Sequence, residues 1–341
     1  MRALALCVGV ALVPCAGVHA AEPVAVRGRA MGTTWSAKWI PSSAAVAPER
    51  VGRELAEALE RLEGIFSTYR PGSELSRFNR EETTDWIPVS PELAAAAARS
   101  RAVSELTGGA FDATIEPLLR LWGIGPHPAP DVEPEPASLA AALARTGWRL
   151  LEVRSEPPAL RKTRPDLAAD FSSVAKGLAA DEMGRLLARL GCGDHLVAVG
   201  GDLRAAGGGP RGEGWPVGIE DPAASPARPA RTLLLRDAAL STSGNHRNVR
   251  LVGGRRVGHL LDARTGRPVT GPLVAVSVVA SSGAAASGLA TGLFALGAAE
   301  GELVARRDGV AAFFLLQADG AGKSRETPAF SLLPEATAQI R

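Results

Sequence analysis

The sequence has 341 residues, of which 46% are hydrophobic and 22% are charged. This is an ordinary globular composition with enough apolar residues for a sizeable core, in one large domain or two intertwined halves. The formal net charge of +2 at pH 7 is too small for a protein whose main partner is a nucleic acid or another polyanion.

The chain begins with a segment typical of a secretory signal. Met1-Arg2 precedes an apolar run from Ala3 to Val18, and Val18-His19-Ala20 supplies small residues at the spacing of a signal peptidase site. The run is too short to span a membrane as a helix. We therefore expect residues 1–20 to be a cleaved signal peptide and residues 21–341 to form the exported domain.

The cysteines are consistent with a domain that needs no disulfide. Cys7 and Cys15 lie in the predicted signal, so the mature chain keeps only Cys192, which follows a predicted helix and is expected to be a structural thiol. Lipidation of Cys15 is an alternative to simple cleavage. However, Pro14 stands where a lipoprotein signal has Gly or Ala.

The first predicted elements are a strand and an amphipathic helix. Residues 28–40 alternate as in a strand, and residues 48–66 carry leucine and isoleucine at helical spacing. A polar, turn-rich stretch follows from Ser67 to Asn79 and contains Tyr69, the only tyrosine.

Two further segments carry helix signals. Ser90-Pro91-Glu92 predicts the start of an alanine-rich helix that ends at Thr107-Gly108-Gly109. Asp170, with two serines behind it, precedes the helical pattern of residues 183–190, so we expect an N-cap at this junction. A helix start of this kind favours an anion, and Lys176 adds a cation one turn later.

The second half is richer in strands. A helix is expected at residues 284–296 and a turn at Thr242-Ser243-Gly244-Asn245. Strands are expected at residues 196–199, 231–236, 257–261, 274–280 and 310–317, and a short strand with a turn at residues 215–222. Because strands and helices do not alternate regularly, the pattern favours an α+β fold over a doubly wound sheet.

Several common motifs are excluded. Residues 207–212 match G-x-G-x-x-G, but Pro210 interrupts them and no helix follows, so a dinucleotide fingerprint lacks its context. No His/Cys grouping has zinc spacing, and no G-x-S-x-G elbow occurs.

Short polar and glycine-rich segments recur along the chain in a specific order. They are Met31-Gly32-Thr33, Ser67-Thr68-Tyr69, residues 73–79, Gly109-Ala110-Phe111-Asp112, residues 170–181, Gly200-Gly201-Asp202-Leu203-Arg204, residues 218–222, Thr242-Ser243-Gly244 and His259-Leu260-Leu261-Asp262. In this order the segments resemble the ApbE family of FAD:protein FMN transferases, over roughly residues 28 to 330.

The resemblance implies a single ApbE-like, T-fold-related α+β domain, exported to a bacterial periplasm or the outer face of the inner membrane. Such a protein would move the FMN half of FAD onto a Thr or Ser hydroxyl of an acceptor flavoprotein, with release of AMP and help from Mg²⁺. The usual acceptors resemble membrane-bound electron-transfer subunits with a D-x-x-[ST]-G-A-[ST]-like sequence. Membrane association would come only through the acceptor or a lipid anchor, and no nucleic acid is implied.

The resemblance also assigns site residues. FAD would be bound by Met31, Tyr69, Ala110, Phe111, Asp112, Asp170, Lys176 and Leu261. Tyr69 and Met31 suit a flat isoalloxazine ring, although either could be simple core. By resemblance His259 is the base that accepts the hydroxyl proton, whereas a structural, hydrogen-bonded histidine is the alternative. Lys176 would neutralise phosphate charge.

The metal site departs from the family pattern. The resemblance places ligands at Ser173, Ser287, Ala290 and Thr291, with backbone carbonyls at Ser173 and Ala290. The family has an Asp four residues before the Thr, on the same helix face, but this chain has Ser287 there.

A hard cation prefers charged oxygen ligands, so we expect a weakened or altered Mg²⁺ site unless another acid, such as Asp170 or Asp262, compensates. Hydrolysis of FAD to FMN and AMP, or FAD binding without catalysis, are the alternative functions. Ser287 favours the latter.

Overall fold

The computed structural model describes residues 22–42, 46–128, 131–222, 228–245, 249–318 and 321–336. The predicted signal peptide and Cys15 lie outside these residues, so the first domain boundary stays a prediction. Within the described ranges, no helix combines the length and apolar character needed to cross a membrane.

Helices and strands are mixed along the chain, which confirms the α+β prediction. The helices are α1 (Pro48–Phe66), α2 (Glu74–Arg80), α3 (Pro91–Leu106), α4 (Glu116–Trp122), α5 (Pro136–Leu143), α6 (Ser172–Arg189), α7 (Gly283–Ala295), α8 (Gly297–Arg307) and α9 (Pro328–Ser331). The strands are β1 (Val24–Ala30), β2 (Thr33–Trp39), β3 (Trp86–Pro88), β4 (Leu151–Ser155), β5 (Pro158–Lys162), β6 (His195–Val199), β7 (Asp202–Ala206), β8 (Trp215–Glu220), β9 (Pro229–Leu235), β10 (Ala239–Gly244), β11 (Val249–Val252), β12 (Arg255–Gly258), β13 (Leu261–Asp262), β14 (Arg267–Pro268), β15 (Leu273–Ala280), β16 (Ala311–Ala318) and β17 (Ala321–Glu326).

One antiparallel sheet organises the domain. Its eight strands lie in the order β1-β2-β6-β7-β10-β15-β16-β17. Helices α6 and α7 pack on one face, against β6, β7, β10 and β15. The β8–β9 hairpin and α9 lie on the opposite face, where Trp215, Leu240, Phe313 and Phe330 share a cluster of buried side chains.

Most of the elements predicted from periodicity are confirmed. Helix α1 has the predicted bounds, and its buried face carries the leucines at helical spacing. Ser90 caps α3 as predicted, since its side chain accepts a hydrogen bond from the Leu93 N–H. Cys192 is buried, and burial raises the pKa of its thiol, which agrees with a structural role.

Several local predictions are wrong. The strand expected at residues 257–261 is interrupted, because β12 ends at Gly258 and β13 begins at Leu261. Residues 28–40 form a hairpin rather than one strand, because Met31 (φ 50°) and Gly32 (φ 69°) turn the chain between β1 and β2. The polar stretch 67–79 contains most of α2, which Ser73 caps by accepting from the Ser76 N–H. Residues 242–244 continue β10 instead of forming a turn, since β10 pairs with β15 through Gly244.

Helices α6 and α7 approach each other until their backbones are in contact. Gly177 of α6 meets Gly283 at the start of α7, and a Cβ on Gly177 would lie 2.2 Å from the Gly283 carbonyl oxygen. Earlier in α6, Val174 lies against Gly288 further along α7, because a Cβ on Gly288 would be 3.2 Å from Val174 Cγ1. The two helices therefore run antiparallel, with the first turn of α6 beside the middle of α7.

Asp181 fixes the other end of this pair. Its carboxylate accepts hydrogen bonds from the Gly283 N–H (2.7 Å) and the Ala284 N–H (3.1 Å). An acid at a helix start satisfies unpaired N–H groups and interacts favourably with the helix dipole. Arg204 Nε of β7 lies 3.9 Å from the same carboxylate, so the cap is also linked to the sheet.

We expect Gly177→Ala to destabilise the fold by about 1–3 kcal/mol, because the added methyl group would meet backbone atoms that cannot rotate away. Gly64→Ala in α1 is the matched control, since nothing lies within 4 Å of a Cβ there. The control should stabilise the protein by about 0.5–1 kcal/mol through the better helix propensity of alanine. Urea unfolding of both variants measures the difference, and equal stabilities would show that the α6–α7 contact can relax.

Candidate functional site

Asp202 is the centre of the polar cluster between the sheet and the two helices. It begins β7, directly after the Gly200-Gly201 turn, and its side chain is only 2% exposed. Its carboxylate accepts hydrogen bonds from Ser241 Oγ of β10 and from Ser287 Oγ of α7, the latter at 3.2 Å. Burial raises the pKa of this carboxyl, while Lys176 and the two hydroxyls oppose that rise.

A second pair of hydroxyls continues the cluster. Ser243 Oγ of β10 lies 2.9 Å from Thr291 Oγ1 of α7. Ser287 and Thr291 are four residues apart, on one face of α7, and Ser241 and Ser243 are two residues apart, on one face of β10. Ser241, Ser243 and Asp202 were not among the predicted site residues. The alternation of Ser241 and Ser243 along a strand was the signal that could have identified these two serines.

Lys176 lies at the exposed edge of this cluster. Its Nζ is 3.9 Å from Asp202 Oδ2, and its side chain is 41% exposed. Gly200, in the turn after β6, lies close to the side chains of Lys176 and Thr33. A Cβ at this glycine would be 3.7 Å from Lys176 Cδ and 3.2 Å from Thr33 Oγ1. The β1–β2 hairpin, with Met31 at its turn, is therefore beside the start of α6.

Three distant segments meet through backbone hydrogen bonds. The Asp170 N–H donates to the Ala113 carbonyl (2.7 Å), and the Ala263 N–H donates to the Ala110 carbonyl (3.0 Å). The structure thus brings Ala110, Asp170 and Leu261, which lies two residues before Ala263, into one region. These residues were predicted to bind FAD, and their binding role stays a prediction.

Asp170 is not the N-cap residue of α6, contrary to the prediction. Phe171 occupies the cap position of α6, while Asp170 Oδ1 accepts from the Ser172 N–H at 2.7 Å. Both serines that follow lie inside the first turn of the helix. The side chain is partly exposed, yet its protein surroundings desolvate the carboxylate and raise its pKa.

The Asp112 carboxylate is hydrogen-bonded mainly within the protein. It accepts hydrogen bonds from Thr114 N–H (2.7 Å), Thr114 Oγ1 (2.7 Å) and Trp148 N–H (2.6 Å). These use most of the acceptor capacity of a carboxylate. Ala110 and Phe111 are buried as well. The backbone of Ala110 is also paired, since its N–H donates to the Thr107 carbonyl at 3.2 Å and its carbonyl accepts from Ala263.

Tyr69 and Met31 occupy different environments. Tyr69 is 68% exposed, which excludes the core alternative for this ring. Met31 packs against the main hydrophobic core and its N–H donates to Glu63 Oε2 at 3.1 Å, so the core alternative stands for Met31.

Glu116 and His127, which were not among the predicted site residues, interact electrostatically with Asp170. Glu116 is buried, and its Oε1 lies 3.3 Å from His127 Nε2. Burial lowers the pKa of His127, while Glu116 and Asp170 oppose that change. Glu116 in turn raises the pKa of Asp170, and His127 opposes that rise.

His259 lies between β12 and β13 and is half-buried. The neighbouring Leu260 N–H donates to Asn245 Oδ1 at 3.2 Å, and the chain then leads to Leu261 and the Ala263–Ala110 contact. The predicted base therefore belongs to the segment that reaches the FAD-binding candidates. Its role as a base stays a prediction.

The predicted metal ligands fall in the region where α6 passes α7. Ser287 and Thr291 belong to the hydroxyl cluster, and Ser173 precedes Val174, which contacts Gly288. Among the described residues, no three His, Cys, Asp or Glu side chains come together in a way that could hold a metal. Mg²⁺ needs only one or two carboxylates when phosphate oxygens and water complete its shell, and its ligands are oxygens. The donor set around Asp202 fits that requirement.

Comparison with known proteins shows which family this chain resembles in sequence and in fold. Residues 31–314 match the sequence profile of the ApbE family. The chain is 35% identical to the FAD:protein FMN transferase of Salmonella typhimurium over 91% of this chain and 89% of that protein. It is 34% identical to the FAD:protein FMN transferase of Vibrio cholerae over 91% of this chain and 92% of that protein.

Two solved structures share the fold. Flavin transferase ApbE from Vibrio cholerae superposes with a TM-score of 0.84 at 32% identity, covering 92% of this chain and 99% of that one. The apo form of Pseudomonas stutzeri flavinyl transferase ApbE gives 0.82 at 34% identity, covering 93% and 98% of the two chains. Sequence and fold agree over nearly the whole length, and the chain belongs to the ApbE family.

Proposed function

We propose that this protein is an FAD:protein FMN transferase that attaches FMN to a Thr or Ser hydroxyl of an acceptor flavoprotein and releases AMP. The observation that carries the proposal is the meeting of distant segments around the first turns of α6. The β1–β2 turn, the Ala110 segment, Asp170, the Gly200–Gly201 turn and the Leu261 segment all reach that region. Relatives that carry this name match the chain over about nine-tenths of its length.

The reaction requires charge compensation and a proton acceptor. The acceptor hydroxyl forms a new bond to the phosphorus on the FMN side of the pyrophosphate, the bond to the bridging oxygen breaks, and AMP leaves with that oxygen. Lys176 is the cation beside the α6 N-terminus and is assigned to the phosphate oxygens, where negative charge increases. His259 is assigned to take the hydroxyl proton.

Mg²⁺ is the proposed metal, held by the Ser287 and Thr291 hydroxyls and the carbonyls of Ser173 and Ala290. When bound, it would supply further neutralisation of the pyrophosphate oxygens. Ser287 and Thr291 are correctly spaced on one helix face for a shared ion, and Ser243 orients the Thr291 hydroxyl at 2.9 Å.

The acceptor is proposed to carry a D-x-x-[ST]-G-A-[ST]-like sequence and to be a membrane electron-transfer subunit. This chain would meet it after export to the periplasm, because the N-terminal sequence is typical of a cleaved signal. In-gel flavin fluorescence of a tagged acceptor, together with AMP release, tests the whole proposal. AMP release without a fluorescent acceptor would indicate hydrolysis of FAD, and FAD binding without AMP across several metals would indicate a flavin-binding protein.

We expect His259→Ala to lower the rate of flavin transfer by about 10²–10⁴-fold, since a positioned general base contributes about that much. FAD affinity, measured by flavin fluorescence, should change little. A transfer rate equal to that of the unmodified protein would remove His259 from the mechanism. An acceptor with the target Thr replaced by Ala controls for nonspecific labelling.

We expect Lys176→Met to lower transfer by about 10²–10³-fold, because one preorganised charge at the reacting phosphate is removed. Lys38→Met is the matched control, since Lys38 is exposed on β2 and has no part in the site. Single-turnover transfer at saturating FAD measures both variants. Equal rates for the two would show that Lys176 is only a surface cation.

A further inference from the structure

Position 287 and Asp202 form a pair that the family comparison alone does not reveal. By its resemblance to the family, this chain has Ser287 where a ligand carboxylate is expected. The structure places a different carboxylate beside that serine, since Ser287 Oγ donates to Asp202 Oδ2 at 3.2 Å. The two residues are 85 positions apart in the sequence.

Asp202 is held in place from several sides. Ser241 Oγ donates to its second oxygen, and Lys176 Nζ lies 3.9 Å from Oδ2. A carboxylate that is 2% exposed is costly unless hydrogen bonds and an opposite charge compensate it. The compensation comes from β10, α6 and α7 together, so the carboxylate has a fixed position relative to all three elements.

A second carboxylate at position 287 would stand directly against the first. Like charges at hydrogen-bonding distance disfavour each other's ionisation unless a cation lies between them. Ser287 avoids this repulsion and keeps a single negative charge in the cluster. The charge therefore comes from β7 rather than from α7.

We propose that Asp202 replaces the missing acid of the divalent-cation site by acting through Ser287. The Ser287 hydroxyl donates a hydrogen bond to the Asp202 carboxylate, which leaves the lone pairs of Oγ for a cation that Thr291 would also bind. A ligand that donates to a buried carboxylate is better oriented and more electron-rich than a free hydroxyl. Asp202 is thus a positioning residue, and this inference rests on the metal site of the proposed function.

The test measures cation binding rather than turnover. Mn²⁺ replaces Mg²⁺ as the probe, and the loss of the free Mn²⁺ signal in electron paramagnetic resonance reports binding by the mature protein with FAD present. Asp202→Asn keeps an oxygen that can accept from Ser287 but removes the charge. We expect it to weaken Mn²⁺ binding by about 10–100-fold, the usual effect of removing such a partner.

The charge swap is the decisive variant. Asp202→Asn combined with Ser287→Asp moves the carboxylate to α7 and should restore Mn²⁺ affinity to within a few-fold of the unmodified protein. Ser287→Asp alone should tighten Mn²⁺ binding and lower the melting temperature when a chelator is present, because two carboxylates then face each other. A purely structural role for Asp202 would leave the Mn²⁺ affinity of Asp202→Asn unchanged, so there would be no loss for Ser287→Asp to rescue; Ser287→Asp alone tightens binding in either case because it adds a ligand carboxylate.

Asp194→Asn is the matched control. Its carboxylate accepts from the Gly209 N–H and Trp215 Nε1, away from the cluster, and its loss should leave Mn²⁺ affinity unchanged. If Asp202→Asn does not fold, Ser287→Ala removes the hydroxyl and leaves Asp202 in place, and it should also weaken binding.

The outcomes separate the two proposals. Mn²⁺ affinity unchanged in Asp202→Asn, or in Ser287→Ala where the first variant does not fold, would overturn this inference and leave the metal site standing. An unmodified protein that binds no Mn²⁺ in the presence of FAD would overturn the metal site itself, and with it the inference. FAD affinity, measured separately by flavin fluorescence, shows whether the nucleotide still binds in each variant.

Discussion

The backbone contact between α6 and α7 is the constraint on which the site depends. Gly177 and Gly283 allow the two helices to approach until a single added methyl group would overlap a carbonyl oxygen. Asp181 then caps α7 from the side of α6, which fixes how far one helix slides along the other. As a result, the first turn of α6 lies beside the Ser287–Thr291 face of α7. A looser pair would separate the lysine from the hydroxyl groups.

The sheet supplies the other half of the site. Strands β7 and β10 are neighbours, so Asp202 and Ser241 face each other in register and both point toward the helices. The Gly200–Gly201 turn ends the preceding strand without side chains that would fill the space near Lys176. A buried carboxylate thus lies between a rigid sheet and two rigid helices. Such rigid support is what a site needs to hold charged oxygens at fixed positions.

Local sequence signals accounted for much of the fold, and their failures have physical reasons. Periodicity over many residues identified α1 and α3, because a long amphipathic pattern is stabilised by the same core contacts that create it. The Met31 turn was missed because a non-glycine residue with positive φ has no reliable local signal. Residues 242–244 were wrongly predicted to form a turn because Ser and Gly favour turns, as does the Asn that follows, whereas pairing with β15 overrides that preference.

The sequence by itself determined the family, the α+β class and the segments that contain the site, since ordered motifs and hydrophobic periodicity depend on neighbours along the chain. It also exposed the serine at position 287 as a departure. Only the tertiary structure placed Asp202 against that serine, and neither Asp170 nor Asp262, the compensating acids considered from sequence, has that contact among the described hydrogen bonds. Contacts between residues 85 positions apart arise from strand register and helix packing, which no local pattern encodes.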